Sequence, residues 1–586
     1  MIRTKIVCTI GPSVNESYQL ERLIRCGMDV ARINFSHGVH EEHQKTIERI
    51  KQARELCKRP IAIMIDTRGP EIRVGEISNG SLEVSAGMRI TLVSEEVQAE
   101  GTLPIRPELV LPALEKGNLV LFDNGYIQAR VVDKVEGRVV VEFLNSGTLL
   151  SSKGVNIPGV ELPLPPVTEK DIADIEFGCE QGVELVAASF IRNAENVLEI
   201  KRLLGQCQRS DMLVIAKIEC LQGVENFESI LHVADGIMIA RGDLGVEIPV
   251  CEVPRLQKMM IKKSNLVGKP VVIATQMLES MMNNPRPTRA EVSDVANAIY
   301  DGGSAIMLSG ETAVGKYPIE TVEMMRSIAM DAEDDFDYAS FFNLHTALTY
   351  HDIPSALTLS AVKTSYSLDA RAIFCFTMSG GTARLLSRLK PKVPIIAFTT
   401  ESLTYHQLAL SWGVLPVMCE KGSDRVQDAF EFASNWGLEQ GIVSYGDLVI
   451  LTTGSPFWVA GTTNTVMVDC IGDVLARGSK GVGKRVYGTV ALVPGPLPKG
   501  SYVTPGSILV LACYNEDYSS LVKGAAGVLL QSSPEDTESE RQLFQACRKE
   551  GKTCILGVDS AFRVLRESQL VTLDPEKKTV YKGVIR

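Results

Sequence analysis

The chain has 586 residues, 45% hydrophobic, 22% charged and 6% aromatic. This balance excludes disordered and fibrous classes and, at about 150 residues per domain, predicts roughly four domains. A formal net charge of -11 excludes a broad nucleic-acid or polybasic membrane surface, so any anionic ligand must be held by local cations.

The opening stretch M-I-R-T-K-I-V-C-T-I-G is too briefly apolar for a signal peptide, and no later run approaches about 18 uninterrupted apolar residues. The expectation is a cytoplasmic protein. Thirteen cysteines lie scattered in apolar segments with no C-x-x-C pair, which predicts free thiols rather than disulfides or metal sites.

Along the chain, short β-branched runs alternate with helical segments. The runs span 5–11, 30–35, 61–66, 185–190 (L-V-A-A-S-F), 213–219 (L-V-I-A-K-I-E), 236–240, 271–275 and 305–309. Eight strands alternating with helices predict an α/β fold with parallel pairing closed into a (β/α)8 TIM barrel. The stretch between the third and fourth runs is rich in Gly, Val and alternating patterns, and predicts an all-β lid inserted at 70–165. The barrel is then 1–69 and 166–340. From 341 to 473 the strand runs 372–377, 395–399 and 448–454 predict a further α/β domain. A Gly/Lys-rich stretch at 476–484 reads as a linker, and 474–586 as a fourth α/β domain with strands near 507–512, 525–530, 553–558 and 570–574.

Barrel sites form at the C-terminal strand ends, and here those ends are polar: Arg32, Asn34, Asp66, Lys217, Glu219, Arg241, Asp243, Thr275, Ser309 and Glu311. Lys217 and Glu219 are two apart in an apolar run, so they share one face. A plain buried ion pair there would contribute little stability after desolvation. Glu219 and Asp243 are hard oxygen ligands suited to magnesium or manganese. With Arg32, Arg73 and Lys217 supplying cations, the set fits phosphoryl transfer on an oxygen-rich, phosphorylated substrate. The stretch G-E-T-A-V-G-K-Y at 310–317 lacks the Ser/Thr of a P-loop, and R-G-D at 241–243 reads as a chance match to an adhesion tripeptide.

The stretches K-I-V-C-T-I-G-P, A-R-I-N-F-S-H-G, I-D-T-R-G-P-E-I-R, S-K-G-V-N-I-P-G, A-R-G-D-L-G-V-E, A-T-Q-M-L-E-S-M and M-L-S-G-E-T-A resemble the pyruvate kinase family over residues 1 to about 470. The resemblance implies transfer of the phosphoryl group of phosphoenolpyruvate to ADP, the last step of glycolysis. It implies that Glu219 and Asp243 hold Mg2+ or Mn2+, and that Asn34, Ser36, Asp66 and Thr67 hold K+. Lys217 contacts the phosphoryl group, Arg32 binds substrate, and Gly242, Asp243 and Thr275 line the substrate pocket. Thr275 lies on the route that protonates the enolate carbon. Arg73 and Lys153 meet nucleotide phosphates, Glu71 is linked to a need for potassium, and Arg68 stands where many members have lysine. The loop Thr377, Ser379, Gly380, Thr382 resembles an effector site for a sugar phosphate or AMP, although Gly381 replaces a family cation. A homotetramer is also implied. The last 110 or so residues resemble the extra domain of some bacterial members, related to a phosphohistidine domain; no histidine occurs after His406, so a structural or regulatory role is expected. The alternative reading is a magnesium-dependent enolate lyase or aldolase of the barrel class, which the lid residues Arg73 and Lys153 disfavour.

Overall fold

The structure, a computed structural model, describes residues 2–77, 80–95, 99, 101–135, 138–346, 352–422, 425–459, 461–495, 503–531 and 536–585. The chain divides into two compact units. The first comprises Met1–Val362, Cys375–Lys421 and Thr452–Thr465; the second comprises Lys363–Phe374, Gly422–Leu451 and Val466–Arg586. The segment 341–473 is thus shared between them.

In the first unit the eight expected runs form strands β1 (Lys5–Thr9), β2 (Val30–Asn34), β3 (Ala62–Asp66), β4 (Leu185–Ala188), β5 (Leu213–Ile218), β6 (Gly236–Ala240), β7 (Val271–Ala274) and β8 (Ala305–Leu308). All pair in parallel and close into a barrel. Strand alternation sends one set of side chains inward and the other outward. Val7, Val30, Met64, Leu185, Ile215, Met238, Val272 and Met307 fill the interior, while Ile6, Ile33, Ile65, Val186, Val214, Ile237, Ile273 and Ile306 pack outward on the helices. Both faces are therefore apolar, which is why these runs read as continuous rather than alternating.

Helix starts are written locally. The Thr168 hydroxyl accepts from Asp171 N–H (3.1 Å) while the Asp171 carboxylate accepts from Thr168 N–H (3.0 Å), opening helix Glu169–Glu180. Thr288 and Glu291 repeat the device for helix Arg289–Tyr300.

The base of the barrel is closed by a distant segment. Ala409 and Leu410, in the turn Leu408–Leu410, are buried in the same cluster as the inward side chains of the strands. Gln407 beside them donates to the Asp211 carbonyl just before β5 (2.7 Å). Nearby, the buried Lys390 ammonium donates to the Gly303 carbonyl (3.0 Å) and lies 4.2 Å from the centroid of the Trp412 ring.

Between β3 and β4 lies the all-β lid, a closed barrel of seven strands among the described residues, in the order Arg138–Phe143, Arg89–Val93, Thr102–Arg106, Ile72–Val74, Gly154–Asn156, Leu119–Phe122, Ile127–Val135. It has its own core around Leu92, Leu103, Phe122 and Phe143. Strands Ile395–Thr399 and Val414–Met418, also in the first unit, pair in parallel.

The second unit contains an eight-stranded sheet. Its middle strands Val486–Val493, Ile508–Leu511, Gly527–Gln531 and Thr553–Val558 are parallel neighbours, covered on one face by helix Thr537–Glu550 through Leu543 and Cys547. The expected linker at 476–484 is instead part of this sheet. Val474–Arg477 pairs with Thr579–Lys582, and Lys480–Val482 pairs with Thr553–Val558. Glycine serves close approach here rather than flexibility: a Cβ on Gly481 would stand 2.0 Å from the Pro575 carbonyl oxygen. The stretch 532–535 of this last region lies outside the described residues.

Candidate active site

At the C-terminal end of the barrel the inward face turns from apolar to charged. Arg32 and Met64 are register partners, as are Asn34 and Asp66, and Ala187 and Asp66. Continuing the inward parity, β3 ends in Asp66, β4 is followed by Ser189, β5 carries Lys217 and is followed by Glu219.

These side chains form one buried network. Lys217 Nζ lies 3.0 Å from Asp66 Oδ1, 3.0 Å from Glu219 Oε1 and 2.6 Å from Ser189 Oγ. Arg32 Nε donates to Asp66 Oδ2 at 2.6 Å and its Nη1 to Thr9 Oγ1 at 3.0 Å. Asp66 and Glu219 are each 1% exposed and Lys217 8%, so these charges interact with little solvent screening. Burial disfavours the Lys217 ammonium, yet Asp66 and Glu219 outweigh it and hold its pKa above the usual lysine range. Burial likewise opposes the Asp66 carboxylate, but Arg32 and Lys217 keep its pKa below the ordinary value.

Glu219 is different. Burial, with the nearby Asp243 charge, pushes it up to about 7 in spite of Lys217. Burial also raises Asp243, with Glu71 and Asp66 adding to it and Lys217 opposing. Two desolvated carboxylates whose ionisation is further disfavoured by neighbouring negative charge are what a divalent cation relieves. Among the described residues no group of three or more His, Cys, Asp and Glu side chains is placed to ligate a metal. A pair of hard carboxylate donors, Glu219 and Asp243, fits an ion that takes one or two carboxylates and completes its shell with water and substrate oxygens.

Backbone strain gathers at the same place. Phe190, Thr275 and Gln276 have φ of 54°, 69° and 56°, a region that costs a non-glycine residue about 1–3 kcal/mol and is worst for a β-branched one. Phe190 N–H donates to Glu219 Oε2 at 2.5 Å. Gly242 N–H donates to Thr275 Oγ1 at 2.8 Å, and that hydroxyl donates to the Ala274 carbonyl at 2.6 Å.

A groove of about 700 Å³ is lined by lid residues Arg73, Lys153 and Asn156 and by barrel residues His37, Arg192 and Glu247; Phe190 and Asp243, which border the network, also line it, whereas Lys217, Asp66 and Glu219 do not. Arg73 pairs with Glu71 (2.6 Å) and donates to the Ser152 carbonyl (2.9 Å); Arg68 also reaches Glu71 (3.2 Å). Lys153 pairs with Asp123 (2.8 Å). Asn156 of the lid donates to Glu247 of the barrel at 2.8 Å. In the expected potassium loop, Asn34 Oδ1 accepts from Ser36 N–H (3.1 Å) and Thr67 N–H donates to the Ala187 carbonyl (3.0 Å).

Not every polar strand end joins the network. Glu311 is 2% exposed, and its carboxylate accepts from Ser309 and Leu278 N–H groups, holding two loops together. Arg241 pairs with Asp294 (2.8 Å) and donates to the Thr275 carbonyl (2.7 Å), supporting the strained turn from behind. Ser189, His37 and Asn156 are in place but were not singled out by sequence reasoning. Ser189 ends the run L-V-A-A-S-F, and its position after an apolar strand is the one signal that could have flagged it.

The loop before helix Gly381–Ser387 borders a second cavity, about 150 Å³, lined by Thr377, Ser379, Thr382, Thr453, Thr462 and Trp458 with no charged side chain. Gly380 turns it at φ 77°, and Arg384 donates to the Ser379 carbonyl (2.8 Å). Among the described residues the buried Trp458 indole N–H near it has no hydrogen-bond partner.

A parallel eight-stranded barrel with a cation-rich, carboxylate-paired mouth and a β lid defines a phosphoryl-transfer enzyme of the barrel class. Residues 1–322 match the family model described as pyruvate kinase, barrel domain, and residues 355–468 match pyruvate kinase, alpha/beta domain. The chain is 40% identical over 587 aligned residues to a pyruvate kinase of Sporosarcina psychrophila and to one of Bacillus licheniformis, in each case with 100% of this chain and 99% of the relative covered. It is 41% identical to a pyruvate kinase of Geobacillus stearothermophilus, with 99% of both covered. The chain belongs to the pyruvate kinase family.

Proposed function

We propose that the groove between lid and barrel mouth is where phosphoenolpyruvate and ADP meet, and that its residues carry the roles assigned from the sequence. The enzyme is a pyruvate kinase, a phosphotransferase giving pyruvate and ATP. The observation that carries the residue assignment is the buried Lys217 ammonium, aimed by three oxygens beside the Glu219–Asp243 pair.

Lys217 presents a full positive charge where the phosphoryl group passes between two anionic substrates. Its aim is set before substrate arrives, so no reorganisation is needed as charge develops. Arg32, anchored by Asp66 and Thr9, offers its remaining guanidinium donors to the phosphate of phosphoenolpyruvate. Arg73 and Lys153, each already neutralised by one carboxylate, meet the nucleotide phosphates by exchanging those partners. Thr275 Oγ1, whose own proton is directed at the Ala274 carbonyl, serves proton delivery to the enolate carbon through water in its vicinity.

Glu219 and Asp243 would hold magnesium or manganese, which when bound neutralises charge on the phosphoryl and enolate oxygens. Asn34, Ser36, Asp66 and Thr67 would hold potassium. The four-part division into barrel, lid, α/β domain 341–473 and extra domain 474–586 is part of the same reading. So are a homotetramer, a cytoplasmic location and an effector, a sugar phosphate or AMP, at Thr377, Ser379, Gly380 and Thr382. Support for the effector is the hydroxyl-lined cavity; no helix of the described residues is long and apolar enough to cross a membrane. The test is a coupled assay of pyruvate release from phosphoenolpyruvate. Release that depends on ADP, a divalent cation and Lys217 supports the assignment; ADP-independent pyruvate release would favour an enolate lyase.

A further inference from the structure

We propose that Ser189 is the positioning residue for Lys217: a neutral acceptor that fixes the ammonium's direction without adding negative charge. The proposal rests on the pyruvate kinase reading of the site. Ser189 follows β4, the strand between β3 and β5, so its side chain stands between Asp66 and Lys217 at the barrel mouth. It is 5% exposed, and Lys217 Nζ donates to its Oγ at 2.6 Å, closer than to either carboxylate.

A serine hydroxyl has one proton to give. Because Oγ accepts from Lys217, that proton must go elsewhere; the Thr67 carbonyl at 2.7 Å is the nearer acceptor, and Asp66 Oδ1 at 3.3 Å is the other. The Ser189 N–H in turn donates to Thr67 Oγ1 at 3.2 Å. Ser189 is thus fixed at backbone and side chain by one residue of the β3 exit, and it passes that rigidity to Lys217.

The chemistry explains why a hydroxyl suits this place. An ammonium has three donors; here one goes to the Asp66 carboxylate and one to Ser189, with the Glu219 carboxylate as a further ion pair at 3.0 Å. A carboxylate in place of Ser189 would add to the two that already face the ammonium and deepen the negative charge in front of an anionic substrate. An apolar residue would leave the long lysine stem held by the Asp66 hydrogen bond and the Glu219 ion pair alone. A neutral acceptor gives direction alone, and in a buried site misplacement of the reacting group by about 1 Å costs roughly a hundredfold in rate.

The test uses the full-length enzyme with phosphoenolpyruvate and ADP. Ser189→Ala is expected to lower kcat roughly ten- to a hundredfold while KM for phosphoenolpyruvate stays within about twofold. Ser189→Thr, which keeps the hydroxyl, is expected to recover most of the rate. In a Lys217→Met background, Ser189→Ala is expected to cost nothing further, because its effect passes through Lys217. Near-normal kcat in Ser189→Ala, a rise in KM alone, or an equal extra loss in the Lys217→Met background would each overturn the proposal. If Ser189→Ala does not give a cooperative melt, Ser189→Cys carries the test: a weak sulfur acceptor is expected to give an intermediate kcat, and a full rate overturns the idea. An inactive wild-type chain would mark failure of the pyruvate kinase reading instead.

Discussion

Lys217 and Asp66 meet at 3.0 Å across an intervening strand, although 151 positions separate them in sequence. Asp66 is shared: its other oxygen holds Arg32 at 2.6 Å. Removing the ammonium therefore leaves the Arg32–Asp66 pair intact. Lys217→Met is expected to retain phosphoenolpyruvate binding, measured by fluorescence or calorimetric titration, while turnover falls by several orders of magnitude. Near-normal turnover would remove Lys217 from the chemistry.

Glu219 and Asp243 are expected to act as a pair toward the divalent ion. Glu219→Gln and Asp243→Asn should each weaken Mn2+ binding to the substrate-free protein, read by the paramagnetic signal of free manganese, by about ten- to a hundredfold. The folded state should survive both, because each substitution removes a buried charge whose ionisation burial already disfavours. Unchanged Mn2+ affinity in both variants would place the ion elsewhere.

The lid is tied to the barrel by Asn156 and Glu247 at 2.8 Å. Burial raises the Glu247 carboxyl, with the Asn156 hydrogen bond opposing. Asn156→Asp would set two carboxylates against each other and push the lid open. The expected result is a higher KM for ADP with little change for phosphoenolpyruvate; equal changes in both would show that the contact does not govern the nucleotide side.

Lys390 gives a pH signature of stability. Burial lowers it to about 7, with Glu333 opposing, whereas a lysine in the unfolded chain titrates near 10.4. Between those values the unfolded chain holds the extra proton, so the contribution of this site to stability rises with pH across that window and is flat below it. Lys390→Met removes the dependence. Melting temperatures of wild type and variant at several pH values from 6 to 9 should shift relative to one another in favour of wild type above about pH 7, at up to about 1.4 kcal/mol per unit. A constant offset would mean that Lys390 stays charged in the folded protein.

Much of this was legible from the residues. The eight barrel runs were visible because both faces of each strand are buried. Lys217 and Glu219 stood out because charge in such a run needs a reason. Ser189 did not, since a serine after a strand is usually a helix cap, and only knowing that β4 lies between β3 and β5 gives it a partner. The stretch 476–484 was misread as a linker because glycine frequency does not distinguish freedom from close packing; at Gly481 it is the latter. Glu311 counted among the polar strand ends of the mouth, but its oxygens are taken up by Ser309 and Leu278 N–H groups, contacts that no spacing rule encodes.

The seating of Ala409 and Leu410 in the barrel's inner cluster bears on the order in which the chain can reach its folded state. All eight strands leave the ribosome before the residues that close their base are made. Domains emerging N-terminal first usually fold as they appear, but this barrel must wait with an open apolar floor until a later segment is translated. Released chains ending at 340 and at 420 should therefore differ sharply in protease resistance within residues 1–340, the shorter being the more readily cut.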